Sequence, residues 1–487
     1  MTVPQASLRS QIWRRKPIVA PGTSSEGLER SLGTFTLMMF GVGATVGTGV
    51  FFVMHEAVPD AGPAVIVSFL LAGLAAGLSA LSYAEMASAV PVSGSTYSYV
   101  YATLGEVVAM GVAGCLILEY GVSTAAVSVG WSGYLNQLLD NLFGWQIPNA
   151  VSSAPWDVDP GFINLPAVIL VAMCAVLLIR GASESATVNA VIVVIKLAVL
   201  LLFAAVAFTG FNSDNFADFA PNGVSGITAA AGAIFFTFIG LDAISTAGDE
   251  VRNPQKTMPR AILGALAIVT TIYVLVAVSA LGTQPWQAFA DPDQASAGLA
   301  KILQEVTGTT WPGTVLAAGA VVSIFSVTLV TLYGQTRILF AMGRDGLLPK
   351  SFARVNPQTR TPVNNTVIVA TVVGLLAAFV PLDYLWDLVS IGTLVAFIVV
   401  SVGVIILRRT RPDLPRAFKV PGYPVTPVLA VLACVYILSG LPWHTWAWFL
   451  LWLSVVLAFY FLWGRKNSVL ERAVETQTQT LRDEDVR

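Results

Sequence analysis

Gly41-Val42-Gly43-Ala44-Thr45-Val46-Gly47-Thr48-Gly49 lies in the middle of an apolar run from Phe35 to Val53. That run is about as long as a helix needs to cross a bilayer, ~20 residues. Four glycines in nine residues make a poor continuous helix, because each costs roughly 0.8–1 kcal/mol against Ala in a helix interior. Glycine does let the backbone open and lets a ligand come close to the chain. Inside a membrane, opened backbone persists only where it is buried in protein or lines a polar cavity. The stretch reads as a broken transmembrane helix with a small polar binding point at its break. The competing use of the same residues is a close helix–helix contact through small side chains.

The rest of the chain fits that reading. Its 487 residues are 55% hydrophobic and 11% charged, with a mean hydropathy of +0.75, where a soluble domain carries about 25% charged residues. This is the composition of a polytopic membrane protein. Met1 to Arg30 is polar and basic with no apolar core of its own, so no cleaved secretory signal is expected. Cys115, Cys174 and Cys434 sit inside apolar spans with no paired spacing, and His55 and His444 stand alone. The cysteines read as small buried hydrophobes, and no metal or cofactor is expected.

Twelve apolar segments are expected to cross the membrane: 35–56, 63–89, 105–137, 162–180, 186–210, 225–247, 258–281, 311–342, 364–381, 386–408, 424–441 and 445–464. Alternate loops and the two tails hold 24 of the 26 Lys and Arg residues; Lys301 lies on the other side and Lys196 inside a span. The positive-inside rule then puts both termini in the cytoplasm.

Span six carries a second interruption, Phe235-Phe236-Thr237-Phe238-Ile239-Gly240-Leu241-Asp242-Ala243, and spans three and eight are both unusually long. One matches six and three matches eight, so the repeat is five spans long. Five is odd, which makes the two copies inverted. The expected fold is all-α: twelve transmembrane helices in a 5+5 inverted repeat, with helices one and six broken and two extra helices at the end. The expected divisions are a tail over 1–32, repeats over 33–211 and 212–410, spans eleven and twelve over 411–464, and a tail over 465–487. Paired interruptions in corresponding spans point to a transporter's substrate site.

Span one runs outward on this topology. Its outer half should begin near Gly47-Thr48-Gly49, with free N–H groups that favour an anion such as a carboxylate, and Thr48 adds a hydroxyl. Unpaired carbonyls near Gly43 to Thr45, and near Phe236 to Ile239 in span six, suit an ammonium. An anion site beside a cluster of carbonyls matches an α-amino acid zwitterion. Phosphate binding by a Gly-rich turn needs a strand and a crossover unit, and neither is present.

Charges inside spans are costly and usually functional. Glu119, in Leu116-Ile117-Leu118-Glu119-Tyr120, suits contact with a cationic substrate side chain, or a polar partner in the bundle. Asp242 suits either the same cavity or a helix cap. Lys196 lies mid-span, where it can replace a bound cation as a fixed charge or exchange a proton; snorkelling is the alternative. Glu85 suits a gate salt bridge or a solvated helix end.

With these residues in place, the chain resembles the amino acid–polyamine–organocation transporters, cationic amino acid branch, in the bacterial twelve-span form. The resemblance covers residues 30 to 460. It rests on the Gly41–Phe51 stretch, Tyr83-Ala84-Glu85-Met86 with Pro91-Val92-Ser93-Gly94-Ser95-Thr96-Tyr97, Leu118-Glu119-Tyr120, Phe238-Ile239-Gly240-Leu241-Asp242 and Glu250-Val251-Arg252-Asn253-Pro254-Gln255-Lys256. Ala341-Met342-Gly343-Arg344-Asp345-Gly346-Leu347-Leu348-Pro349-Lys350 and Arg411-Pro412-Asp413-Leu414-Pro415 also match.

The resemblance implies a substrate carboxylate at Thr48 and Gly49, beside Gly47 and Gly43, and an α-amino group at carbonyls near Thr45, Phe236, Thr237 and Ile239. It implies that Glu119, with Asp242 nearby, reads a basic side chain, and that Lys196 stands for proton coupling or exchange rather than sodium. The implied partners are an amino acid, protons and the lipid bilayer of the cell membrane, with no nucleic acid and no enzyme chemistry. The polar stretch from Ser468 to Arg487 matches nothing and is expected to be disordered.

Overall fold

The computed structural model describes residues 13–17, 32–47, 49–90, 95–157, 159–181, 186–246, 251–291, 298–359 and 361–471. Among them the chain is all-α; pairing is limited to the isolated bridges Leu32 with Val251 and Ser152 with Asn164. Each of the twelve apolar segments forms helix. Span one is Thr34–Thr45 and Val53–Ala61, span two Val65–Ala89, span three Glu106–Phe143, span four Leu165–Ile179 and span five Ala186–Ala207. Span six is Gly223–Phe235 and Ala243–Thr246, span seven Pro254–Thr283, span eight Trp311–Arg344, span nine Val363–Phe379 and span ten Leu382–Thr410. Val425–Leu438 and Trp443–Phe459 are spans eleven and twelve.

Local chemistry sets several of these starts. Asn164 caps span four by accepting from the Ala167 N–H at 3.2 Å, with Pro166 in the first turn, where a missing N–H costs nothing. Pro254 opens span seven in the same way.

Packing follows the repeat. Span two lies on seven, three on eight and four on nine, and the outer half of span one lies on the first half of six. Span five touches one, seven and eight; span ten touches six, two and three. The second set is the image of the first under an exchange of each span with the one five places on, as a two-fold repeat requires. Spans one, two, six and seven pack among themselves as one body, and three, four, eight and nine as another. Spans eleven and twelve lie against two, three and ten. Their outward surface is apolar, with Trp443 and Trp448 exposed, as expected for rings at a lipid interface.

Glu85 forms a salt bridge rather than ending in solvent. It is fully buried, takes two hydrogen bonds from Arg408 at 2.7 and 2.5 Å and one from the Val420 N–H at 2.7 Å, and lies 3.5 Å from Arg416. The three cysteines are buried and free.

Candidate substrate site

The inner half of span one ends where glycine takes over. The Val46 N–H closes the last helical bond, to Val42 O at 2.8 Å, and Gly47 then turns to φ +134°, a region that side chains rarely enter. Thr48 lies outside the described residues. The expected start of the outer half near Gly47-Thr48-Gly49 is corrected: Gly49 O accepts from Phe52 and Val53 N–H at 3.1 and 2.8 Å, and regular helix begins only at Val53. A turn therefore intervenes, because the glycines let the chain fold back before it rewinds.

Span six tightens over Phe236–Phe238, extends at Ile239 and turns at Gly240 with φ +96° before helix resumes at Ala243. The two breaks interlock. A side chain at Gly49 would collide with Thr237, and one at Gly240 would start 2.7 Å from Ala44 O. Glycine at these positions is what allows the approach.

The carbonyls at the breaks are not bare as expected. The Tyr273 hydroxyl in span seven shares its hydrogen between Thr45 O at 3.0 Å and Thr237 O at 2.9 Å. Gly43 O accepts from Lys196 Nζ at 2.8 Å, and Phe236 O accepts from the Ile239 N–H at 3.2 Å. Each carbonyl has a second lone pair, so a ligand ammonium still has acceptors. Tyr273 was not singled out in the sequence. Its signal was a phenol among Ile272 and Val274 in mid-span, since a buried O–H must find a partner. Phe69 and Phe238 hold its ring edge-on. Tyr273→Phe should raise the Michaelis constant for substrate about fivefold, the effect of roughly 1 kcal/mol from one lost hydrogen bond, with little loss of maximal rate; zero-trans uptake in proteoliposomes measures both.

Glu119 sits on a π-turn, Ile117–Val122, within span three. Such turns are frequent at functional sites. Thr124 and Ser123 donate to the Tyr120 carbonyl at 2.5 and 3.2 Å. Gly334 of span eight leaves room for the Tyr120 ring, whose hydroxyl donates to Asp242 Oδ2 at 2.8 Å. Asp242 thus lies beside Tyr120, immediately before the short helix Ala243–Thr246, and its carboxyl is next to Glu119. Glu119 is fully buried; its oxygens take no hydrogen bond from an N–H or hydroxyl among the described residues, and the Asp242 carboxyl lies within hydrogen-bonding reach of it. A buried carboxylate without a partner is too costly to keep. The position calls for a proton or a cation from elsewhere.

Thr45, Lys196, Glu119 and Thr237 are all fully buried, and Ile239 and Asp242 nearly so. Among the described residues no His, Cys, Asp or Glu cluster is placed to hold a metal.

Residues 32–468 match the protein family described as Amino acid permease. The chain is 44% identical over 96% of its length to the whole of the Branched-chain amino acid permease BcaP of Bacillus subtilis (strain 168). It is 40% identical over 95% of its length to the whole of the Methylthioribose transporter of the same organism. It is 35% identical over 83% of its length to 64% of Cationic amino acid transporter 4 of Mus musculus.

Proposed function

Because the chain belongs to the amino acid permease family, a group of multi-pass membrane transporters rather than enzymes, we propose that it is a secondary carrier for cationic amino acids such as Arg and Lys, working by alternating access. The single observation that carries the cationic reading is Glu119, buried carboxyl against carboxyl with Asp242 and with no cation, N–H or hydroxyl on it among the described residues. A substrate guanidinium or ammonium supplies the missing partner. The α-carboxylate lies at the Gly47–Gly49 turn with the Thr48 hydroxyl, and the α-amino group takes the remaining lone pairs of the Thr45, Phe236, Thr237 and Ile239 carbonyls. The body of spans one, two, six and seven and that of spans three, four, eight and nine rock against each other about this point. Basic loops put both termini in the cytoplasm of a cell whose plasma membrane holds the carrier.

A second reading has its own support in the 44% identity to a branched-chain permease. A neutral side chain then occupies the cavity, and Glu119 and Asp242 share one proton between them.

Lys196 on the Gly43 carbonyl supports a fixed or titrating charge at the break, and with it proton coupling. Uptake of labelled Arg, Lys, Leu and Ala into proteoliposomes, with and without an inward proton gradient, tests these readings together. Arg and Lys should enter and compete with each other, and the gradient should accelerate them in wild type but not in Lys196→Ala. Leu uptake that excess Arg does not inhibit selects the second reading. Rates indifferent to the gradient in both proteins remove proton coupling.

A further inference from the structure

A cavity of about 380 Å³ opens where spans three, nine, ten and twelve meet. None of its described lining residues comes from span one or span six, so it is separate from the two breaks. Val122 of span three, Leu376 of span nine and Leu388 of span ten give it apolar walls. Three rings from three elements also line it: Trp156 from the connection between spans three and four, Tyr384 from span ten and Trp448 from span twelve, each more than half exposed. Among the described lining residues Asp387 is the one carboxylate and none is Lys or Arg; His444 adds an imidazole. Asp387 is half-buried. Its Oδ2 accepts from the Thr445 hydroxyl at 2.9 Å, which holds the carboxylate at the seam of spans ten and twelve.

An apolar slot with a fixed carboxylate and three rings selects among ligands. The carboxylate attracts a cation, and the faces of Trp and Tyr hold ammonium groups, quaternary ones included. The leucines and Val122 suit hydrocarbon. An anion would meet the charge of Asp387 with no Lys or Arg on the wall to offset it. The volume lies in the range of small-molecule sites, about 300–1,000 Å³, which is room for one short chain; a bilayer phospholipid carries two long ones. Val122 is also the last residue of the π-turn Ile117–Val122 that carries Glu119. The cavity thus reaches that turn without being lined by Glu119 itself.

We propose that this cavity is a second ligand site, for an amphipathic cation. Its ammonium head lies at Asp387 and the rings, its short hydrocarbon tail runs to Val122, and its presence slows transport by bearing on the Ile117–Val122 turn. The site stands on its own geometry; its effect on uptake rests on the transporter reading.

Octyltrimethylammonium is the probe, because its charge is permanent and it carries no protons across a membrane. Equilibrium dialysis of the labelled probe against the full chain in phosphatidylcholine nanodiscs, with empty discs subtracted, should show one saturable site. Binding should persist in excess arginine, and octyl sulfate, the same chain with the opposite charge, should not displace it. Asp387→Asn should weaken binding about tenfold, between the effects of exposed and of buried charge pairs. Leu376→Trp, which fills the cavity and keeps the charge, should abolish it; if Asp387→Asn does not fold, this variant decides alone. In proteoliposomes the probe should slow arginine counterflow about fivefold, the low end of coupling between separate sites, and the Leu376→Trp protein should ignore it.

A probe that arginine displaces sits in the substrate site, and one that binds Leu376→Trp unchanged sits elsewhere; either result overturns the proposal. Saturable binding in detergent that vanishes in discs gives the cavity to bilayer lipid and overturns it too. Binding that leaves counterflow at its usual rate overturns the hold on the π-turn. Binding with the expected response to both substitutions, in a protein that carries no amino acid, keeps the site and sinks the transport reading.

Discussion

Replacing Glu119 by Gln is expected to lower arginine uptake about a hundredfold, while alanine or leucine uptake stays within a few-fold of wild type. The magnitude follows from the burial. Removing one member of a fully desolvated charge pair costs roughly 2–5 kcal/mol, and a hundredfold corresponds to about 2.7 kcal/mol. The selectivity follows from the partner. Asp242 is already engaged by the Tyr120 hydroxyl, so it cannot take over the whole of a second cation. A glutamine resembles the protonated acid, which is the form a neutral cargo would meet. Initial rates for each labelled amino acid, normalised to folded protein, check this. Arginine entering the Gln variant at the wild-type rate rejects the role given to Glu119.

Arg408→Ala should cost about 3–5 kcal/mol of stability, the usual penalty for leaving a buried carboxylate without its cation. Glu85 is sealed from solvent, and Arg408 grips it through two nitrogens while stacking 4.2 Å from the centre of the Tyr423 ring. Arg408→Lys should recover only part of the loss, because an ammonium offers neither the planar fork nor the stack. Glu85→Gln/Arg408→Met should be milder than Arg408→Ala, since no charge is stranded. Arg416, 3.5 Å from the carboxylate, softens the single loss without replacing it. Thermal unfolding in detergent, with ligand absent, ranks the four proteins. An Arg408→Ala protein that melts within a degree of wild type contradicts the argument.

The glycines were legible because their reason is local. Gly47 and Gly240 stand at backbone angles that other residues avoid, and the sequence places them in mid-span, where regular helix would otherwise continue. The span order and the repeat were legible because bilayer thickness sets a minimum apolar length for each span, and the two spans that exceed it, three and eight, stand five apart. The turn from Gly49 to Phe52 was not, because the point at which a helix rewinds after glycine depends on what it meets, here Thr237 of another span. Tyr273 was hidden likewise: an apolar span shows that a hydroxyl needs a partner but not which carbonyl supplies it.

The end of the chain shows the reverse error. Polar composition marked Ser468 onward as unstructured, yet Ser468 and Glu471 are spoken for by Glu106 and Arg14. Residues 472–487 lie outside the described residues.

The π-turn in span three has one further consequence. Its hydrogen bonds skip one residue more than those of the neighbouring α-helix, so the outer part of the span is out of phase with the inner part by about 100°, the angle one residue subtends. Because the wide turn absorbs that extra residue, loss of a single codon after Glu119 and before Val122 would let the helix run regularly with Trp131 and Tyr134 still on their carbonyl partners, Val321 and Phe51, while the wide turn that presents Glu119 is lost. One deletion could thus erase the acid's function while leaving the acid itself in the gene.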